Sequence, residues 1–232
     1  MKTIGLIGGM SWESTMPYYR LINQRIKQQL GGLHSAKLVL VSVDFAEIEA
    51  MQHAGDWPAA GEAMAQAARA LQAAGADFIV LGTNTMHKVA ASIEDAVPLP
   101  LLHIADPTAA AIKAAGLQRV GLLGTRFTME QAFYRERLQE RHGLTVLTPG
   151  DAARAEVHRI IYDELCLGQV LPASRVVYRE VMAGLVAQGA QAIILGCTEI
   201  SLLVEAGDAS VPLFDTTALH AIAAADASLE SS

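Results

Sequence analysis

Cysteine is scarce in this chain: two in 232 residues, Cys166 and Cys197. Two thiols cannot make a disulfide framework, although the pair can bond in principle. The opening run Met1-Lys2-Thr3-Ile4-Gly5 goes straight into a strand pattern, with no signal peptide expected ahead of it. Free thiols in a reducing cytoplasm are therefore the expectation. Positive charge is also in deficit. Lys and Arg number 17 against 24 Asp and Glu, a formal net charge of −7. That balance argues against a nucleic acid or an anionic membrane as partner. It leaves an anionic small molecule open, because a site needs only a few local donors. No apolar run reaches the ~18 residues of a membrane span. The glycines after the first strand lack the G-x-G-x-x-G spacing and the lysine of a phosphate loop, so a nucleotide site has little support. No Cys-His-Asn set surrounds Cys197, which weighs against a cysteine hydrolase.

What is abundant is apolar: 52% hydrophobic residues with 18% charged, a core-rich globular composition. The most informative stretch is Gly189-Ala190-Gln191-Ala192-Ile193-Ile194-Leu195-Gly196-Cys197-Thr198-Glu199. Its short β-branched run reads as a buried parallel strand. In open α/β sheets ligands bind just outside the carboxyl ends of strands, where Cys197 falls. The stretch echoes Gly75-Ala76-Asp77-Phe78-Ile79-Val80-Leu81-Gly82-Thr83-Asn84-Thr85 without a gap, and Cys197 aligns with Thr83 at an offset of 114 (197 − 83).

Three further matches follow in the same order. Val120-Gly121-Leu122-Leu123-Gly124 repeats Ile4-Gly5-Leu6-Ile7-Gly8, Phe133-Tyr134-Arg135 repeats Tyr18-Tyr19-Arg20, and Pro212-Leu213 repeats Pro100-Leu101. The period is far too long for a solenoid. The pattern predicts an α/β fold of two pseudo-symmetric lobes, each a small parallel sheet with helices on both faces. The first lobe is read as residues 1–105 plus 216–232, the second as 106–215. Ser14 or Thr15 is expected to cap the first helix, which Gly31 and Gly32 end. Facing lobes would put Thr83 and Cys197 on opposite sides of a ligand in one cleft.

Two proton-handling groups on opposite faces of one carbon are what a racemase or epimerase needs. A thiol has an ordinary pKa of about 8.5, which nearby donors or a helix N-terminus lower. It can then take a proton and return it near neutral pH. Asn84 and Thr85 after Thr83, and Thr198 and Glu199 after Cys197, bring polar groups and backbone N–H groups at two expected helix starts. Those can hold a carboxylate without Lys or Arg and stabilise an enediolate-like transition state.

Four segments carry a resemblance: Ile4-Gly5-Leu6-Ile7-Gly8-Gly9-Met10-Ser11, Thr83-Asn84-Thr85-Met86-His87-Lys88, Pro100-Leu101-Leu102-His103-Ile104 and Gly196-Cys197-Thr198-Glu199. Over essentially its full length the chain resembles the cofactor-independent aspartate/glutamate racemases. Thr83, where most of that family has a first cysteine, makes it most similar to the L-aspartate/glutamate-specific branch. The resemblance implies proton exchange at Cα of an amino-acid substrate with no pyridoxal phosphate, no metal and no other cofactor. It implies Cys197 and Thr83 as catalytic residues and a homodimer. It places Met10 at the substrate through its backbone and Gln52 through its amide. Some relatives have basic residues near positions 48 and 164 for the distal carboxylate; here those are Ile48 and Glu164, and Arg126 is the candidate substitute.

A threonine alcohol is a far weaker acid and base than a thiol. The residues therefore predict an asymmetric enzyme, fast on the Cys197 face and slow on the Thr83 face. Two other readings share the scaffold: a single-cysteine decarboxylase or isomerase, and a two-lobed amino-acid-binding module without turnover. Cys166 is expected in the core, His87 in a local hydrogen bond, and His103 and Asp215 as equivalent orienting residues.

Overall fold

Apolar runs become the strands, the two central ones of each sheet being the buried ones. The computed structural model describes residues 1–230. Ser231 and Ser232, assigned above to the first lobe, lie outside the described residues. Two four-stranded sheets form, all their pairings parallel. The chain divides into two compact units, Met1–Ile104 with the segment from His220 onward, and Ala105–Leu219.

In the first unit the strands are β1 (Ile4–Gly8), β2 (Leu38–Ser42), β3 (Phe78–Leu81) and β4 (Leu101–Leu102), in the order β2-β1-β3-β4. Helices α1 (Trp12–Leu30), α2 (Phe45–Ala54), α3 (Trp57–Ala73) and α4 (Ala90–Ala96) connect them. β1 and β3 are buried along their whole length, which is why they read as unbroken apolar runs.

Helix α1 has Ser11 at its N-cap position but no side-chain capping bond. It buries Tyr18, Ile22 and Ile26 at helical spacing. Burying one such side chain contributes roughly 1.5–3 kcal/mol, more than the ~1 kcal/mol of a typical cap. Packing therefore holds this helix. The expectation that Ser14 or Thr15 caps it is corrected. Both lie inside its first turn, and the Thr15 hydroxyl accepts from Gly9 N–H at 2.8 Å and donates to the Ser11 carbonyl at 2.9 Å. Gly9 itself has φ +94°, and a Cβ there would lie 2.3 Å from the Val43 carbonyl oxygen. Only glycine fits this turn.

The second unit has the same plan. Its strands β5 (Arg119–Gly124), β6 (Thr145–Leu147), β7 (Ala192–Gly196) and β8 (Leu213–Asp215) take the order β6-β5-β7-β8. Helices α5 (Ala105–Ala114), α6 (Arg126–Glu130), α7 (Ala132–Glu136), α8 (Asp151–Asp163), α9 (Pro172–Ala187) and α10 (Ile200–Leu203) surround them. The last helix, α11 (Thr216–Leu229), begins in this unit and belongs to the first from His220 on. There Ala221, Ala224 and Ala225 pack with Ile4, Leu6, Tyr18 and Ile22. No helix among the described residues is long and apolar enough to cross a membrane.

Candidate active site

The parallel pairing of β1 with β3 brings their carboxyl ends side by side. Gly82 N–H, just past β3, donates to the Ile7 carbonyl at 2.9 Å. Met10 and Thr83 therefore leave the sheet at neighbouring points. Met10, Gln52, Thr83, Asn84 and Thr85 are all buried, though none lies in the middle of a strand. The Gln52 amide, near the end of α2, donates to Met86 Sδ at 3.1 Å. Met10 and Met86 belong to one apolar cluster with Ile7, Ile48 and Leu81. The sequence-predicted residues of this unit thus gather at one end of its sheet.

Thr83 is held at both ends of its backbone. Its N–H donates to the Leu81 carbonyl at 2.9 Å, and its own carbonyl is 2.7 Å from His87 Nδ1. The local hydrogen bond expected of His87 is present. The helix expected after Thr83 is a tight 3-10 turn, Thr85–Val89, before α4. Its brevity leaves little macrodipole. His103 is buried, with its ring centroid 4.3 Å from that of His87.

In the second unit β7 ends at Gly196, where a Cβ would meet the Leu123 carbonyl oxygen of β5 at 2.7 Å. That close approach fixes where Cys197 emerges. Cys197 is only 7% exposed. Its Sγ–H donates to a Glu199 carboxylate oxygen at 3.0 Å, and the Thr198 hydroxyl donates to the same oxygen at 2.8 Å. Thr198 and Glu199 are buried as well.

This geometry corrects two expectations. The helix after Cys197, α10, is a single turn, so it gives the thiol almost no dipole support. The thiol's pKa is also not lowered. Burial pushes it well above the ordinary value, and the Glu199 carboxylate pushes it further in the same direction. The thiol is therefore the resting form, hydrogen-bonded to the Glu199 carboxylate. The Glu199 carboxylate, read from the sequence as a substrate contact, is bonded here to the Cys197 thiol and the Thr198 hydroxyl. A Cys-x-Glu spacing was the available signal.

The remaining candidates resolve individually. Cys166 sits half-buried in a short turn, Leu165–Leu167, against the apolar cluster that contains Cys197. Burial, then Glu199, raises its thiol pKa. Ile48 is a core residue, and the buried Glu164 carboxylate is bonded to Arg159 at 3.0 Å and to the Ser174 hydroxyl. Arg126 is exposed at the start of α6, and its backbone N–H donates to His158 Nδ1 at 3.2 Å. Asp215 caps α11, accepting from the backbone N–H groups of Thr217 at 2.8 Å and Ala218 at 3.3 Å. No group of metal-ligating side chains occurs among the described residues.

Two parallel sheets of identical strand order, one leading to Thr83 and the other to Cys197, define the class: an α/β protein of two like units. The sequence profile of the Asp/Glu/hydantoin racemase family matches residues 7–224. The chain belongs to that family and is a racemase. Among solved structures, a candidate Asp/Glu racemase from Yersinia pestis is 63% identical, with TM-score 0.92, covering 99% of this chain and 100% of that one. An aspartate racemase homologue from Pyrococcus horikoshii OT3 is 33% identical, with TM-score 0.84 and the same coverage. The broad specificity amino-acid racemase RacX of Bacillus subtilis is 26% identical over 150 residues, 64% of this chain and 63% of that protein.

Proposed function

We propose that this racemase acts on aspartate or glutamate, the L enantiomer preferred, by exchange of the Cα proton without a cofactor. The observation that carries the proposal is the buried Cys197 thiol donating to the Glu199 carboxylate at the carboxyl end of β7. Glu199 accepts the thiol proton as substrate binds. The thiolate then abstracts the proton from one face of Cα, and Thr83, at the equivalent exit of β3, serves the other face. The backbone N–H groups of Asn84, Thr85, Cys197 and Thr198, with Met10 and Gln52, hold the substrate carboxylates and stabilise the flattened carbanion.

Burial favours this assignment. A thiolate that forms only when substrate is present does not waste itself on solvent or oxidants. The two faces remain chemically unequal, because a threonine alcohol handles protons poorly and is slow or needs a relayed water. The proposed enzyme works as a cytoplasmic homodimer, as family resemblance implies.

The test is deuterium uptake at Cα of L- and D-aspartate and of L- and D-glutamate in heavy water. Native protein should exchange at least one of these, one enantiomer faster than the other. Cys197→Ala should lose about 10²-fold or more of that rate while melting at a similar temperature. Tight amino-acid binding with no exchange would make the protein a binding module. Loss of carbon dioxide from a malonate-type acid would make it a decarboxylase.

A further inference from the structure

The first unit buries three imidazoles around the exits of β3 and β4. The His87 and His103 ring centroids are 4.3 Å apart, and those of His87 and His220 are 6.1 Å apart. One tautomer follows from hydrogen-bond partners. Ile104 N–H donates to His87 Nε2 at 3.2 Å, so that nitrogen carries no proton. The ring proton therefore sits on Nδ1, which donates to the Thr83 carbonyl at 2.7 Å. His220 Nε2–H donates to the Leu102 carbonyl at 2.8 Å, and its Nδ1 lies 2.9 Å from the Tyr18 hydroxyl. The His87 ring is neutral, with each nitrogen engaged.

From the two bonds of the His87 ring, we infer that His87 is a positioning residue for Thr83, setting the direction in which the Thr83 hydroxyl and the Thr83–Asn84 peptide face the substrate. The inference rests on the racemase reading above. In a trans peptide the N–H points opposite to the carbonyl. Drawing the Thr83 carbonyl towards His87 therefore turns the Asn84 N–H the other way. The Thr83 N–H is already committed to Leu81. With both flanking peptides fixed, the Cα–Cβ bond of Thr83 has one direction and only χ1 is left to choose. His87 is itself fixed, because Ile104 N–H at the exit of β4 holds its Nε2. The residue is 3% exposed and lies four positions after Thr83, so it supports the site from behind. A weak acid such as threonine depends on placement more than a thiol does, since little reactivity is left to compensate for a misplaced oxygen.

The experiment separates this role from simple packing. Asparagine can reproduce the Nδ1–H donor and glutamine the Nε2 acceptor. His87→Gln should therefore lose the Thr83 contact, and His87→Asn should keep it. Initial rates of Cα deuterium uptake are measured for the two aspartate enantiomers in the native chain and both variants, alongside melting temperature. His87→Gln should slow the slower-exchanging enantiomer, the one assigned to the Thr83 face, by roughly tenfold in kcat. The faster enantiomer should change much less, and His87→Asn should recover most of the difference. Equal loss on both faces, or equal loss in both variants, overturns the positioning role while leaving the racemase reading intact. A native protein that exchanges neither enantiomer overturns that reading, and this inference with it. If a variant does not fold, long-range proton–nitrogen spectra of the native protein still decide. They should show His87 protonated on Nδ1, and an Nε2-protonated ring overturns the inference.

Discussion

Glu199 matters most at the scale of single residues. Its carboxylate opposes ionisation of Cys197 at rest, and in the proposed mechanism it accepts the thiol proton. Glu199→Gln removes the carboxylate charge but keeps the volume. Burial and Cys166 still raise the thiol, but the carboxylate no longer does, so its pKa falls from the native value. The expected result is alkylation of Cys197 with a midpoint at lower pH than native, together with Cα exchange reduced by about 10²-fold or more. A variant that alkylates more readily and also exchanges at the native rate would show that the carboxylate takes no proton. Thr83→Cys tests the other face. A thiol there should raise the initial exchange rate of the slower enantiomer by roughly tenfold or more, because a thiol handles protons far better than an alcohol. Initial rates are the measure, since both directions share one equilibrium constant. Equal native exchange of both enantiomers would mean that Thr83 is not the weak face. Cys197 and Thr83 were legible in the sequence because the repeat aligns them. The Cys197–Glu199 bond was not, because it depends on which way two side chains turn in a buried pocket.

Ion pairs also link elements of the second unit. Asp106 in α5 accepts two bonds from Arg137, each 2.7 Å, and one from His142 at 3.0 Å. Burial raises the Asp106 carboxyl, but the bonds from Arg137 and His142 outweigh it and hold it below the usual range. A folded pKa below the unfolded one stabilises above the unfolded value of about 3.9 and is lost as pH falls through the folded one. Asp106→Asn should therefore melt below native at pH 7, with the gap closing as pH drops under about 4. The side chain is 36% exposed, so solvent screening limits the effect to about 1 kcal/mol. A constant gap from pH 3 to 7 would assign the loss to packing. Elements themselves were largely legible. The strand from Ala192 and the glycine-ended helix α1 stand where apolar periodicity puts them. Their starts were less so, as Thr15 shows: its hydroxyl serves Gly9 N–H, a contact set by how the turn folds back.

At the scale of the whole molecule, a second copy is the expected partner. Helix α1 exposes Trp12, Met16 and Tyr19 at 62%, 58% and 54%, spaced four and three apart on one face. Large exposed apolar side chains at helical spacing suit a helix that is covered in the assembly. Light scattering should give twice the 24.6 kDa of one chain. A mass of one chain across micromolar concentrations would exclude the dimer.

By itself the sequence determined the duplicated parallel α/β architecture and the two strand exits that carry Cys197 and Thr83. Both follow from local information, since apolar periodicity and a 114-residue repeat are written along the chain. Only the tertiary structure decided how those residues are tuned. Tyr18 and His220 meet across 202 positions, and Ile104 reaches back to fix the His87 tautomer. Such bonds depend on where the chain returns in space and which lone pair faces which proton, and no pattern of neighbours along the chain encodes that.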